Sequence, residues 1–300
     1  MTHALFVFLD GVGLGPASEH NPLHTLHLPA FEALAGDQRW TADLEPVREP
    51  EHVVVPLDAT LDVEGLPQSG TGQTALFTGV NAAELHGRHF GPYPPTAAHA
   101  ALAEQSVFQR LRHRGVEAIA FANAYPDRFF RAMERRARWT ATTRMAREAG
   151  IRLRTAKDLN LGHALPADLT GERWQHHLDP DHVPTSPAEA GRRLATLARE
   201  HRLTLFEYPY TDTAGHGRDG LTPEDVLPLV DEALGAILDA RSTDNLLIVS
   251  SDHGNIERPT TKSHTRNPVP LVALGPGAEA FAEAASLLDV APALVSALVG

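Results

Sequence analysis

The chain has no cysteine among its 300 residues. Disulfides, thiolate nucleophiles and cysteine-bound zinc are therefore excluded, and any metal must be held by histidine, aspartate, glutamate or hydroxyl oxygen. Positive charge is also scarce: 26 Lys+Arg face 38 Asp+Glu, for a formal net charge of −12. Binding to nucleic acid or to an anionic membrane needs a concentrated basic face, so neither partner is expected. An anionic substrate stays compatible, because bound divalent cations reverse the local field. No apolar run approaches the roughly 20 residues that cross a bilayer. The start, Met1 to Asp10, lacks a basic leader region and reads as a first strand rather than a signal peptide. The expectation is a cytoplasmic protein. Nothing in this composition specifies an oligomeric state.

What is present is enough apolar content, 42%, for a sizeable core in one large domain or two ordinary ones. Short apolar runs alternate with helical patterns. Leu5–Leu9 reads as a strand. Glu117–Ala122 follows an amphipathic stretch from Ser106 to Arg114, Leu203–Glu207 follows Pro187 to His201, and Leu246–Ser250 follows Pro223 to Arg241. That cadence predicts an α/β fold, a mostly parallel central sheet with helices on both faces. The stretch 125–184 breaks the cadence, being rich in arginine and then in loop-like Asp and Pro. It predicts a small inserted cap, or equally a solvated excursion that packs on the core. Residues 1–124 and 185–300 then form the core proper.

Polar residues gather where the strands end. Asp252-His253 follows the apolar run Asn245–Ser250, which places a hard oxygen ligand beside an imidazole at the carboxyl end of a buried strand. Open α/β sheets build their sites at that edge. Adjacent side chains point apart on a strand, so the pair can share one metal only where the chain turns, and Gly254-Asn255 supplies the turn. His264 follows on a polar loop. Asp10-Gly-Val-Gly13 ends the first strand, and Asp212-Thr-Ala-Gly215-His216 sets carboxylate and imidazole four apart, on one side if helical. Pro67-Gln-Ser69-Gly-Thr-Gly72 leads into a helix pattern, where a hydroxyl meets the N–H groups and positive dipole end that favour a phosphate oxygen. A metal beside such a hydroxyl lowers its pKa, and two cations can clamp an in-line displacement. A carboxylate–imidazole ligand set without sulfur suits Zn or Mn more than Ca. Each motif alone is weak, since Asp-Gly-x-Gly is usually a turn and Asp-x-x-x-His a helix-face pair. Their joint placement at strand ends is not. Most of the 17 histidines, His20, His24, His27, His176 and His177 among them, lie in polar stretches and read as surface.

As a set, these motifs resemble the alkaline phosphatase superfamily, most closely its branch of cofactor-independent phosphoglycerate mutase and phosphopentomutase. The resemblance is carried by Leu9-Asp10-Gly-Val-Gly with Asn21 downstream, Ser69-x-x-Gly72, Asp212-x-x-Gly215-His216, Ser251-Asp-His-Gly-Asn255 and Ser263-His-Thr-Arg-Asn-Pro-Val-Pro270. It implies an alkaline-phosphatase-like core and two divalent metal ions, Mn or Zn with Mg also admissible. One metal falls to Asp212, His216 and His264, the other to Asp10, Asp252 and His253, and Ser69 bridges as the nucleophile that becomes phosphorylated. Thr71 is the competing hydroxyl; Ser69 is favoured because Gly72 stands at the family's spacing. The implied activity is phosphoryl transfer on a small phosphorylated metabolite, as phosphomutase or phosphomonoesterase. The alternatives are a phosphodiesterase of the same superfamily and a catalytically silent metal-binding member; a sulfatase is disfavoured by the missing cysteine. The chain departs from the mutases at Gln73, where they place a histidine, and in a shorter insertion. Arg88, His89 and Arg128, with His86, are candidate substrate contacts.

Overall fold

The computed structural model describes residues 2–136 and 138–299, the side chains of Glu134 and Arg136 excepted. Its centre is a seven-stranded sheet, made of β1 (His3–Leu9), β2 (Val47–Glu49), β3 (His52–Leu57), β4 (Ile119–Phe121), β7 (Leu203–Tyr208), β8 (Asn245–Ser250) and β9 (Val269–Leu274) in the order β2-β3-β9-β8-β1-β7-β4. A separate two-stranded sheet pairs β5 (Ala124–Tyr125) with β6 (Arg154–Thr155). β8, β1, β7 and β4 are mutually parallel. β9 runs antiparallel to β8, β3 antiparallel to β9 and β2 antiparallel to β3. The sheet is thus mostly but not entirely parallel, and its parallel half carries the motifs.

β1 sits in the middle of the sheet with almost no polar residue, as a strand covered on both faces requires. Alternate residues serve the two faces. Ala4, Phe6 and Phe8 join one buried cluster with Phe77, Phe108, Met145 and Leu294; Leu5, Val7 and Leu9 join another with Phe31, Leu194, Leu227 and Leu234. The first face is covered by helices Ser69–Thr78, His99–Gln105, Val107–His113, Ala141–Glu148 and Val290–Val299, the second by Pro29–Leu34, Pro187–Glu200 and Pro223–Ala240. Among the described residues no helix is long and apolar enough to cross a membrane.

Residues 125–184 divide their packing. Helix Ala141–Glu148 sends Ala141, Met145 and Ala146 into the first core cluster. Leu159, Ala164 and Trp174 instead gather with Ala124 in a small cluster of their own.

The parallel half explains where the site forms. Strands running the same way deliver the ends of β8, β1, β7 and β4 to one edge in that order; the first three continue into the candidate residues Asp252-His253, Asp10 and Tyr210–Asp212, and β4 continues into Ala124–Tyr125.

Candidate metal centre

The chain leaves β1 at Asp10 and turns at Gly11, whose φ of +72° is open to glycine. A Cβ there would also meet the Asp212 side chain at 2.9 Å. Behind the turn, the Val12 amide donates to Ser251 Oγ (2.8 Å), and Thr211 Oγ1 donates to the Asp10 carbonyl (2.5 Å). These bonds stitch the ends of β1, β7 and β8 together.

Two groups of ligand-type atoms result. In the first, His253 Nε2 is 3.3 Å from Asp10 Oδ1 and 3.5 Å from Asp252 Oδ2. In the second, Asp212 Oδ1 is 3.4 Å from both His216 Nε2 and His264 Nε2, and the two imidazole nitrogens are 3.1 Å apart. The groups are contiguous, because the His253 and His264 rings stack with centroids 3.8 Å apart and Asp212, His253 and His264 themselves converge. Ser69 Oγ lies 3.0 Å from His253 Nε2. The structure therefore brings Asp10, Ser69, Asp212, His216, Asp252, His253 and His264 to one place.

Hydrogen bonding orients the imidazoles. Nδ1 of His216 faces the Lys262 carbonyl (2.9 Å) and Nδ1 of His264 faces the Pro67 carbonyl (2.7 Å), leaving both Nε2 atoms toward Asp212. A backbone carbonyl on the far nitrogen is the usual means of fixing a metal-binding imidazole. Asp212 is further held by Asn255, whose Nδ2 donates to Oδ1 at 2.7 Å.

The electrostatics fit cations. Asp252 and His253 are fully buried, and Asp10 Oδ1 and Asp252 Oδ2 have no hydrogen-bond donor. Burial, then the mutual repulsion with Asp252, pushes the Asp10 pKa up; burial also raises that of Asp252. Burial disfavours the His253 imidazolium, but Asp252 and Asp10 outweigh it and push its pKa up. For Asp212 burial is likewise the largest influence, yet His264, His253 and Asn255 together drive its pKa below the usual carboxylate range. Unpaired buried carboxylate oxygens are costly, and a divalent cation among Asp10, Asp252 and His253 would satisfy both; the second group offers the same oxygen and nitrogen donor types.

Ser69 opens the ten-residue helix Ser69–Thr78. Thr71, the competing hydroxyl, is fully buried and committed: its Oγ1 donates to the Gln68 carbonyl (3.1 Å) and accepts from the Phe90 amide (3.2 Å). A Cβ on Gly72 would lie 2.6 Å from the Asp252 carbonyl oxygen, so this glycine lets the helix approach the ligand strand. Gln73 turns into the site, where its Nε2 donates to Asp10 Oδ2 at 3.3 Å.

The candidate substrate contacts are dispersed. Arg88 is exposed, His89 bonds the Val63 carbonyl at 3.2 Å, and His86 packs its ring against Phe90. None of these interactions reaches the ligand groups. Arg128 lines a separate cavity of about 1030 Å³, which also takes in Tyr210.

Two residues escaped the sequence reading. Glu257 is buried, and its carboxylate accepts from the amides of Gly13 (3.0 Å) and Asn255 (2.8 Å), from Asn267 Nδ2 (3.0 Å) and from Thr265 Oγ1. Its position two residues past Asn255 was the only signal. Glu207, on buried β7, accepts from Thr142 Oγ1 (2.6 Å). Burial raises its pKa to about 7, with Thr142 opposing and Asp10 adding to the rise. A lone acid inside an apolar strand was its signal.

Residues 182–299 match the model of the metalloenzyme superfamily. A 2,3-bisphosphoglycerate-independent phosphoglycerate mutase of Vibrio parahaemolyticus is 34% identical over 121 residues, which are 37% of this chain and 24% of the mutase. The corresponding enzyme of Thermomicrobium roseum is 32% identical over 114 residues, 34% of this chain and 22% of that protein. The match therefore spans about a quarter of the length of these relatives. Among solved structures, an alkaline phosphatase from an Antarctic bacterium aligns over 100% of this chain and 99% of its own, with a TM-score of 0.54 at 12% identity. A Leishmania mexicana phosphoglycerate mutase aligns over 99% and 95%, with a TM-score of 0.50 at 13% identity.

Proposed function

We propose that this chain, alkaline-phosphatase-like in fold and matching the metalloenzyme superfamily over residues 182–299, is a two-metal phosphoryl-transfer enzyme acting through Ser69 on a small phosphate monoester. The observation that carries the reading is the position of Ser69. Its hydroxyl faces His253 at 3.0 Å from the first turn of a helix, and His253 in turn faces Asp10 Oδ1 and Asp252 Oδ2, the two buried carboxylate oxygens without a donor.

Asp10, Asp252 and His253 would hold one divalent ion and Asp212, His216 and His264 the other. When bound, such ions supply Lewis-acid stabilisation of phosphoryl oxygens and lower the pKa of a nearby hydroxyl. With no sulfur donor, Mn or Zn suits the set and Mg is admissible.

Ser69 Oγ attacks phosphorus in line with the leaving oxygen, giving a phosphoserine and releasing the alcohol. The helix N-terminus favours the negative charge of the transferred group. Gln73 keeps one Asp10 oxygen occupied while the other stays turned to the ligand cluster. Water attack on the phosphoserine completes a phosphomonoesterase cycle; return to a second hydroxyl of a retained substrate completes a phosphomutase cycle. The outcome depends on water exclusion, and we assign that task to the parts of 125–184 outside helix Ala141–Glu148, acting as a lid.

The test uses metal-stripped protein, an aryl phosphate, and separate additions of Mn, Zn and Mg. Metal-restored phosphate release that disappears in Ser69→Ala, with metal binding retained, supports the phosphoserine route. Full turnover by Ser69→Ala overturns it. Phosphorylation of Ser69 by a sugar or glycerate phosphate without phosphate release assigns the mutase cycle. Faster turnover of diesters than of monoesters would move the assignment to a phosphodiesterase.

A further inference from the structure

The cavity of about 1030 Å³ takes in Tyr210, two residues from Asp212, and none of the proposed ligands. Its place follows from the sheet. Along the carboxyl edge the order is Asp252-His253, Asp10, Tyr210–Asp212, then Ala124–Tyr125, and the cavity occupies the last part of that row, with Tyr210, Ala124 and Tyr125 in its wall. Tyr210 and Asp212 share one short helix, so the wall of the cavity and a ligand of the metal group belong to the same turn. On the other side, Phe129 and Trp174 come from the 125–184 segment.

Four flat rings, Tyr125, Phe129, Trp174 and Tyr210, stand in a lining that also holds Arg128, Asp168, Arg173 and Asp219. Tyr125 and Phe129 stack on each other with centroids 4.2 Å apart. The Arg173 guanidinium lies 5.1 Å from the Tyr210 centroid, Asp219 holds that guanidinium at 2.8 Å, and all three residues line the cavity. A cation anchored by a carboxylate restrains the Tyr210 ring in the cavity wall. Trp174 is almost fully buried yet borders the same space. The volume is at the upper end of the roughly 300–1,000 Å³ typical of small-molecule sites. A three-carbon phosphate would leave most of it to water and would use none of the rings.

We infer that this cavity receives the organic part of the substrate, and that the substrate is a phosphate monoester whose alcohol carries a flat aromatic ring system. The inference rests on the phosphoryl-transfer reading for the phosphate end only; the ring-binding end stands on the cavity. Phosphate at the Ser69 helix and ring among Tyr125, Phe129, Trp174 and Tyr210 share one continuous edge of the sheet. Stacking is largely uniform binding, so it acts on KM rather than on the chemical step.

The experiment has a binding arm and a kinetic arm, both on the full chain. In the binding arm, adenosine and riboflavin, which carry no phosphate, are titrated against metal-stripped protein while Trp fluorescence is read. Quenching that is lost in Trp174→Phe is expected, and ring preference separates nucleoside from flavin chemistry. In the kinetic arm, KM on metal-loaded protein is compared for adenosine 5′-monophosphate, riboflavin 5′-phosphate and glycerol 3-phosphate. One stacked ring corresponds to a KM ratio of about tenfold or more in favour of a ring-bearing substrate. Phe129→Ala, which removes a half-buried ring and leaves Trp174 in place, should collapse that ratio toward one. Equal KM values for all three esters, with no quenching by adenosine or riboflavin, would overturn the inference and leave phosphoryl transfer standing. Quenching by a ring compound with no turnover of any ester would do the reverse, sinking the phosphoryl-transfer reading and sparing the cavity.

Discussion

The Glu257 carboxylate collects the amides of Gly13 and Asn255 together with side chains from Thr265 and Asn267, so three loops that carry ligand residues end on one buried group. Removing it strands two buried backbone N–H groups, each worth about 1–3 kcal/mol when left unsatisfied. Glu257→Ala should therefore cost about 2–5 kcal/mol in urea unfolding and weaken metal binding, while Glu257→Gln, which keeps one acceptor oxygen, should cost less. An unchanged unfolding midpoint for the alanine variant would contradict this. Glu207 yields a pH prediction. Its folded pKa is about 7, raised chiefly by burial, against a reference of 4.5. Between those values the native state holds a proton that the unfolded chain has lost, so stability is fully present below about pH 4.5 and declines as pH rises to about 7. The stability of metal-stripped protein relative to Glu207→Gln should fall across that window by on the order of 3 kcal/mol. A flat difference between pH 4.5 and 7 would show that Glu207 ionises freely in the fold.

Helices Pro187–Glu200 and Pro223–Ala240 pack against each other on the second face, where Gly191 meets Ala233. A Cβ at Gly191 would lie 2.2 Å from the Ala233 carbonyl oxygen. Alanine is the better helix former by about 1 kcal/mol, but overpacking against backbone costs about 1–3 kcal/mol. Gly191→Ala should lower the urea midpoint, with metal binding kept because the pair lies off the site; a raised midpoint would mean the helices simply separate. No periodicity in the sequence announces this contact. The strands divide in the same way. β1 and β8 carry unbroken apolar runs, and β7 one broken only by Thr204 and Glu207, so all three were legible as strands. β3 and β9 contain Pro56 and Pro270, which reduce the strand signal, yet the two prolines face each other in register at a point reached by neither β2 nor β8. Where no strand lies on the far side, the missing N–H costs nothing in the ladder. The proximity of Asp10, Asp212 and Asp252 was legible because each follows an apolar run, but Glu257 and Glu207 act through partners 244 and 65 residues away in Gly13 and Thr142, and spacing carries no such information.

The whole molecule concentrates opposition between like charges at one edge of one sheet. Burial raises the cost of ionising both Asp10 and Asp252, Asp252 adds to the cost for Asp10, and Asp212 adds to it for both. The chain as a whole is acidic, so its remaining charge, net −12, does not relieve that strain. The His253 imidazole offsets part of it, and divalent cations, which suit the donor set, would offset the rest. Binding of a ligand to the folded state alone stabilises by about 2.7 kcal/mol at a hundredfold excess over Kd, for each site. Chelation should therefore lower the melting temperature, and readdition of Mn or Zn should restore it in a concentration-dependent way. Asp252→Asn removes a proposed ligand and one of the repelling charges together. It should raise the melting temperature of the metal-stripped protein while abolishing much of the metal-dependent gain, the two effects having opposite sign. A variant that melts lower than wild type without metal, and gains as much as wild type with it, would mean that the Asp252 carboxylate serves the fold and not a cation.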